Sequence, residues 1–128
     1  MKPPSMTLVL VVDDSPDIVT LLRMVLEQRG YQVITGRNGR EGLEQLYQVQ
    51  PDAIISNLFM PQMDGLAFLD AVRSDPNWAS IPFIIASAVT SNDYRETVFA
   101  HGADGFLPKP FKFNELHALL RDLGISPQ

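Results

Sequence analysis

Five short apolar runs, each followed by an amphipathic stretch, limit the fold of this chain more than any other feature. The first run, Thr7-Leu8-Val9-Leu10-Val11-Val12, is continuously apolar rather than alternating. Continuous apolarity means burial on both faces, as in a central strand of a parallel sheet. The run stops at Asp13-Asp14, and Ser15-Pro16-Asp17 then supplies an N-cap, a first-turn proline and an acidic first turn. Ile18, Leu21, Leu22, Val25 and Leu26 recur at helical spacing until Gly30. Residues 31–35 are a second strand, less apolar and so nearer an edge. Asn38-Gly39 opens a second helix with Leu43, Leu46, Tyr47 and Val49 inward. Gly42 inside it costs about 1 kcal/mol relative to alanine, which implies close packing on the sheet.

Pro51-Asp52 leads into a third strand, residues 53–57, and Asp64-Gly65 forms a turn and cap for a third helix with Leu66, Phe68, Leu69 and Val72. Pro82 opens a fourth strand that ends at Ser87, and Ser91 or Asn92 caps a fourth helix closed by Gly102. Residues 105–108 make a short fifth strand, with Pro108 suited to an edge. Phe113, Leu116, Leu119, Leu120 and Leu123 stripe a last helix before Gly124. Trp78 falls in a polar loop and is expected to be partly exposed. His101 and His117 are isolated from other metal-ligating residues and read as surface positions.

Strand–helix alternation with short connections dictates parallel strands joined by right-handed crossovers, an α/β domain. At 128 residues there is room for one such domain, expected over residues 7–124 between short tails, 1–6 and 125–128. The net charge of −5 leaves no electrostatic footprint for nucleic acid or an anionic membrane. The absence of cysteine excludes disulfides and thiolate metal sites. No apolar run suits a signal peptide or a membrane span, so a cytoplasmic location is expected.

In a parallel sheet the strand tips at the carboxyl edge are where ligands bind. Here those tips carry Asp13-Asp14, Asn57, Ser87 and Lys109. Paired carboxylates with oxygen neighbours suit a hard cation such as Mg²⁺. A hydroxyl and an ammonium beside them suit a phosphoryl group. The chemistry lacks only a central carboxylate nucleophile, and the central residue is Asn57.

These residues resemble the receiver domains of two-component response regulators. The matching runs are 11–15 (Val-Val-Asp-Asp-Ser), 51–57 (Pro-Asp-Ala-Ile-Ile-Ser-Asn), 60–65 (Met-Pro-Gln-Met-Asp-Gly), 84–88 (Ile-Ile-Ala-Ser-Ala) and 102–111 (Gly-Ala-Asp-Gly-Phe-Leu-Pro-Lys-Pro-Phe). The resemblance implies a flavodoxin-like, doubly wound, three-layer fold: a five-stranded parallel sheet in the order 2-1-3-4-5 with five helices. It implies that Asp13, Asp14 and the Phe59 backbone carbonyl, together with position 57, hold Mg²⁺. Ser87 would contact an incoming phosphoryl group, Lys109 would bridge to the residue at position 57, and Phe106 would move inward with Ser87. Lys109–Pro110 would be a cis peptide.

The aspartate that receives the phosphoryl group in this family falls on Asn57, which departs from the pattern. An uncharged amide does not attack a phosphohistidine as a carboxylate does. The chain is therefore expected not to accept phosphate, to bind Mg²⁺ more weakly, and not to act as an enzyme. Either a working acceptor has been blocked by an engineered change, or this is a natural pseudo-receiver that acts as a phosphorylation-independent interaction module. Dehalogenase-like phosphatases require Asp-x-Asp at the first strand tip, which Asp13-Asp14-Ser15 does not provide. Expected partners are a sensor histidine kinase or phosphotransfer domain near the first helix. A dimer or output contact is expected on the helix 4–strand 5–helix 5 face, with Tyr94, Arg95, Val98 and His117 as exposed candidates.

Overall fold

The continuous first strand sits at the centre of the molecule. A computed structural model describes residues 7–127. In chain order the elements are β1 (Thr7–Val12), α1 (Pro16–Gln28), β2 (Tyr31–Gly36), α2 (Gly39–Gln48), β3 (Ala53–Asn57), α3 (Gly65–Ser74), β4 (Phe83–Ser87), α4 (Asn92–Ala100), β5 (Gly105–Pro108) and α5 (Phe113–Asp122). The strands form one parallel sheet in the order β2-β1-β3-β4-β5. This is the flavodoxin-like architecture. Pro82 lies one residue ahead of β4, and its carbonyl still accepts the Ile54 amide at 2.9 Å.

Strand alternation sorts the core into two layers. Leu10, Val12, Ile54, Phe83 and Ile85 face Phe68, Leu69, Val72 and Val98 on one side of the sheet. Val9, Val11, Ile55 and Ile84 face Leu22, Leu26, Leu116 and Leu120 on the other. Three N-caps form through side chains: Ser15 accepts from the Ile18 amide at 3.4 Å, Asn38 from Glu41 at 2.9 Å and Asp64 from Ala67 at 2.9 Å. Ser91 occupies the N-cap of α4 but makes no side-chain capping bond. Among the described residues no helix is long and apolar enough to cross a membrane.

Several side chains depart from the sequence reading. Tyr47 is 77% exposed, because the stripe of α2 narrows to Leu46 with Leu43 at its margin. Its ring instead covers Trp78 edge-on, centroids 5.1 Å apart, and Trp78 is buried rather than partly exposed. Gly42 packs on the sheet end at Gly36 of β2 and also on α3: a Cβ on Gly36 would lie 3.0 Å from Gly42 N, and one on Gly42 would lie 2.6 Å from Phe68 Cζ. Val98 is buried against the α2–α3–α4 side of the sheet, so it presents nothing to a partner. His117 is half-buried rather than freely exposed, and the charge of Arg29, just past the end of α1, acts on it. Ile125, placed in a tail by the sequence, is buried with Leu120 and Leu116, and the Ser126 carbonyl accepts from Thr7 Oγ1 at 2.8 Å.

Candidate functional site

The parallel sheet brings its carboxyl tips to one edge. At the end of β1, the Asp13 amide donates to Gly36 O at 3.1 Å, which carries the strand pairing one residue further. Asp13 is buried, with Oδ1 accepting from the Ser15 amide at 3.0 Å. Asp14 is exposed beside it. The β3 tip is held by Leu58 N donating to Ala86 O at 3.2 Å. Gly65 allows α3 to begin against that tip: its amide donates to Leu58 O at 2.7 Å, and a Cβ there would overlap the Asn57 carbonyl. The β3–α3 loop passes through Gln62, a non-glycine residue at φ +67°. It is tied to α2 by Gly39 N donating to Met63 O at 2.9 Å.

Lys109 enters from the end of β5, its amide donating to Ser87 O at 2.9 Å, and the Lys109–Pro110 bond is cis. Its ammonium donates to Asp13 Oδ2 at 2.8 Å and to Asn57 Oδ1 at 3.1 Å. The Asn57 amide nitrogen donates to Asp14 Oδ1 at 3.2 Å and to Phe59 O at 2.8 Å. Chemistry fixes this orientation of the amide. The flipped form would set Oδ1 against two oxygens and the NH₂ against an ammonium. Asp13, Asp14, Asn57, the Phe59 carbonyl and Lys109 thus form one connected polar cluster.

Ser87 is buried at the tip of β4, but its Oγ accepts from the Val89 amide at 3.0 Å. Among the described residues no hydrogen bond joins the Ser87 hydroxyl to Asn57 or Lys109; only the Ser87 backbone carbonyl meets Lys109, through the Lys109 amide. Phe106 lies in the α2–α3–α4 core. The Arg95 guanidinium stands 5.0 Å from its ring centroid, a cation–π contact across α4 and β5. Phe59 lends its carbonyl to the site and its exposed ring to Tyr94 of α4, edge-on at 5.5 Å. Neither ring contact has a signature in sequence, since each joins residues whose approach depends on the packing of α4. On the rim, hydrogen bonds from Arg37 hold the Glu41 carboxyl below the usual carboxylate range. His101 is remote from the tips and pairs with Asp70 at 2.7 Å.

The oxygens of Asp13, Asp14 and Phe59 have the hard-donor character that Mg²⁺ prefers. As arranged, they do not fit a resident cation. Asp13 is committed to Lys109 and the Ser15 amide, and the NH₂ group of Asn57 caps Asp14 Oδ1 with one N–H and Phe59 O with the other.

Comparison with known proteins places this geometry among its relatives. Residues 9–121 match the family model for the response regulator receiver domain. The chain is 40% identical over 116 residues to the transcriptional regulatory protein KdpE of Mycobacterium tuberculosis, covering 91% of this chain and 50% of that protein. It is 35% identical over 115 residues to the DNA-binding dual master transcriptional regulator RpaA of Synechocystis, covering 90% of this chain and 48% of that protein. The chain therefore spans about half the length of the curated relatives it matches. Among solved structures, the chemotaxis protein CheY4 of Vibrio cholerae superposes with a TM-score of 0.87 at 36% identity, covering 91% of this chain and 98% of that one. The signal receiver domain of a histidine kinase from Syntrophus aciditrophicus superposes at 0.85 with 35% identity, covering 91% and 89%.

Proposed function

Because the chain belongs to the response regulator receiver family, we propose that it is a receiver whose acceptor position is closed by Asn57. The observation that carries this reading is the place of Asn57: at the β3 tip, within reach of Lys109 and Asp14, where family members present the acceptor aspartate. A carboxylate there attacks the phosphorus of a phosphohistidine while the imidazole departs. A carboxamide has no charge and its nitrogen lone pair is delocalised, so that attack is lost. Receiver domains typically bind Mg²⁺, and the cation offsets the negative charge of the incoming phosphoryl group. The remaining parts here are Lys109, which holds Asp13 and position 57 in one frame, and Ser87, which would have to leave the Val89 amide to reach a phosphoryl oxygen.

The expected upstream partner is a histidine kinase or phosphotransfer domain. An apolar groove of about 370 Å³ beside the site, lined by Ile18, Leu21, Leu22, Pro110, Phe111 and Phe113, suits one of its helices. Downstream contacts are assigned to the α4–β5–α5 face, where Tyr94 and Arg95 are exposed. The intact surroundings of Asn57 favour a competent scaffold with its acceptor removed. The test is to incubate the wild-type chain and Asn57→Asp with Mg²⁺ and acetyl phosphate and weigh the intact proteins. A gain of one phosphoryl group by Asn57→Asp alone supports the reading. Uptake by the wild type contradicts it, and no uptake by either favours a pseudo-receiver that has lost more than its acceptor.

A further inference from the structure

We propose that the Asn57 carboxamide replaces the divalent cation as well as the acceptor carboxylate, so that the site is closed without metal and any cation must first displace the amide. The inference depends on the receiver reading only for which oxygens a cation would take.

A carboxamide brings two N–H donors and one carbonyl acceptor. At Asn57 all three kinds of neighbour match. The Nδ2 protons go to Asp14 Oδ1 at 3.2 Å and Phe59 O at 2.8 Å, and Oδ1 accepts from Lys109 at 3.1 Å. Two of the oxygens assigned to the cation are thereby joined to each other through NH₂. The joined segments are the tip of β1 and the β3–α3 loop, the same two that a cation at those oxygens would tie. Aspartate at position 57 reverses the requirement. It has no proton to donate, so its carboxylate would face Asp14 and the Phe59 carbonyl with nothing between them, and a cation becomes the natural bridge. Wild type therefore needs no metal to order the loop, whereas Asn57→Asp does. Because the Phe59 ring rests on Tyr94, the loop reaches α4 in the same state whether or not Mg²⁺ is present.

The experiment follows Mg²⁺ binding by calorimetric titration, and amide hydrogen exchange over residues 58–63 in EDTA and in Mg²⁺. It uses wild type, Asn57→Asp and Asn57→Ala, with the amides of β1 and β3 as the internal reference for global folding. Wild type is expected to bind Mg²⁺ at least about tenfold more weakly than Asn57→Asp, and its loop to exchange at one rate in both buffers. Asn57→Asp is expected to exchange faster in EDTA and to recover in Mg²⁺, and Asn57→Ala to exchange faster than wild type in EDTA. Equal Mg²⁺ affinity of wild type and Asn57→Asp, or a loop as protected in Asn57→Ala as in wild type, overturns the proposal. Phosphoryl uptake is not read in this experiment, so its failure is distinct from failure of the functional reading.

Discussion

Replacing Asn57 by aspartate is expected to destabilise the metal-free protein by at least about 2 kcal/mol. The substitution keeps the shape of the side chain and changes its protons. A new carboxylate oxygen would stand where Nδ2 now lies, 3.2 Å from Asp14 Oδ1. At an effective dielectric near 20, two like charges at that separation repel by about 5 kcal/mol. The other oxygen stays near Lys109 Nζ, 3.1 Å away in the wild type, and that attraction has about the same size, but Asp13 shares the ammonium at 2.8 Å and repels the new charge as well, so charge gives no net gain and about 2 kcal/mol is a lower bound. What remains is the loss of two hydrogen bonds, to Phe59 O and to Asp14. The first contributes about 1 kcal/mol, and the second about the same once its exposure to water is allowed for. For a chain of this length, about 2 kcal/mol lowers the melting temperature by roughly 5–10 °C. Circular dichroism melts in EDTA and in Mg²⁺ read the effect. Asn57→Asp should melt lower in EDTA and recover most of the gap in Mg²⁺, while wild type should be indifferent. If Asn57→Asp melts as high as wild type in EDTA, the hydrogen bonds assigned to the amide contribute nothing and the reasoning fails.

Gly42→Ala should cost about 1–3 kcal/mol, because its Cβ would lie 2.6 Å from Phe68 Cζ and Phe68 is fully buried; an unchanged urea midpoint would contradict this packing. Arg95→Ala should cost about 0.5–1 kcal/mol through loss of the contact over Phe106, read in the same assay, and no change would remove that contact from the account. Burial first, and Arg29 second, push the His117 imidazole below its ordinary value of 6.5. The unfolded chain then binds more protons than the folded one between the two values, so stability should be fully present above about pH 6.5 and decline as the pH falls. His117→Gln should flatten that slope in melts from neutral to mildly acidic pH, and an unchanged slope would refute the assignment.

The sheet was legible because β1, β3 and β4 are apolar on both faces, and only a central parallel strand asks for that. Parallel strands in turn placed Asp13, Asn57, Ser87 and Lys109 at one edge before any distance was known. What sequence could not show was contact between elements. Trp78 sits among polar neighbours in the chain, yet Tyr47, 31 residues away, covers it. Val98 lies on a helix polar enough to read as surface, but the α2–α3–α4 side of the sheet needs one apolar residue from it. Ile125 follows a helix-ending Gly124 and turns back under the core, its amide donating to Leu120 O at 2.8 Å. Asn57 itself was visible as a missing nucleophile. That its amide would bridge Asp14 and Phe59 was not, since the bond spans 43 positions and depends on how two loops meet.

The amide can be observed directly. In a heteronuclear NMR spectrum of the metal-free protein, the Asn57 side-chain NH₂ is identified as the pair of peaks missing from Asn57→Asp. With each proton held by a different oxygen, the pair should be well separated in proton shift, slow to exchange with water, and unmoved by Mg²⁺ at a concentration that saturates Asn57→Asp. A collapsed, fast-exchanging pair like that of a solvated asparagine, or one that Mg²⁺ shifts at that concentration, would contradict closure of the site by Asn57.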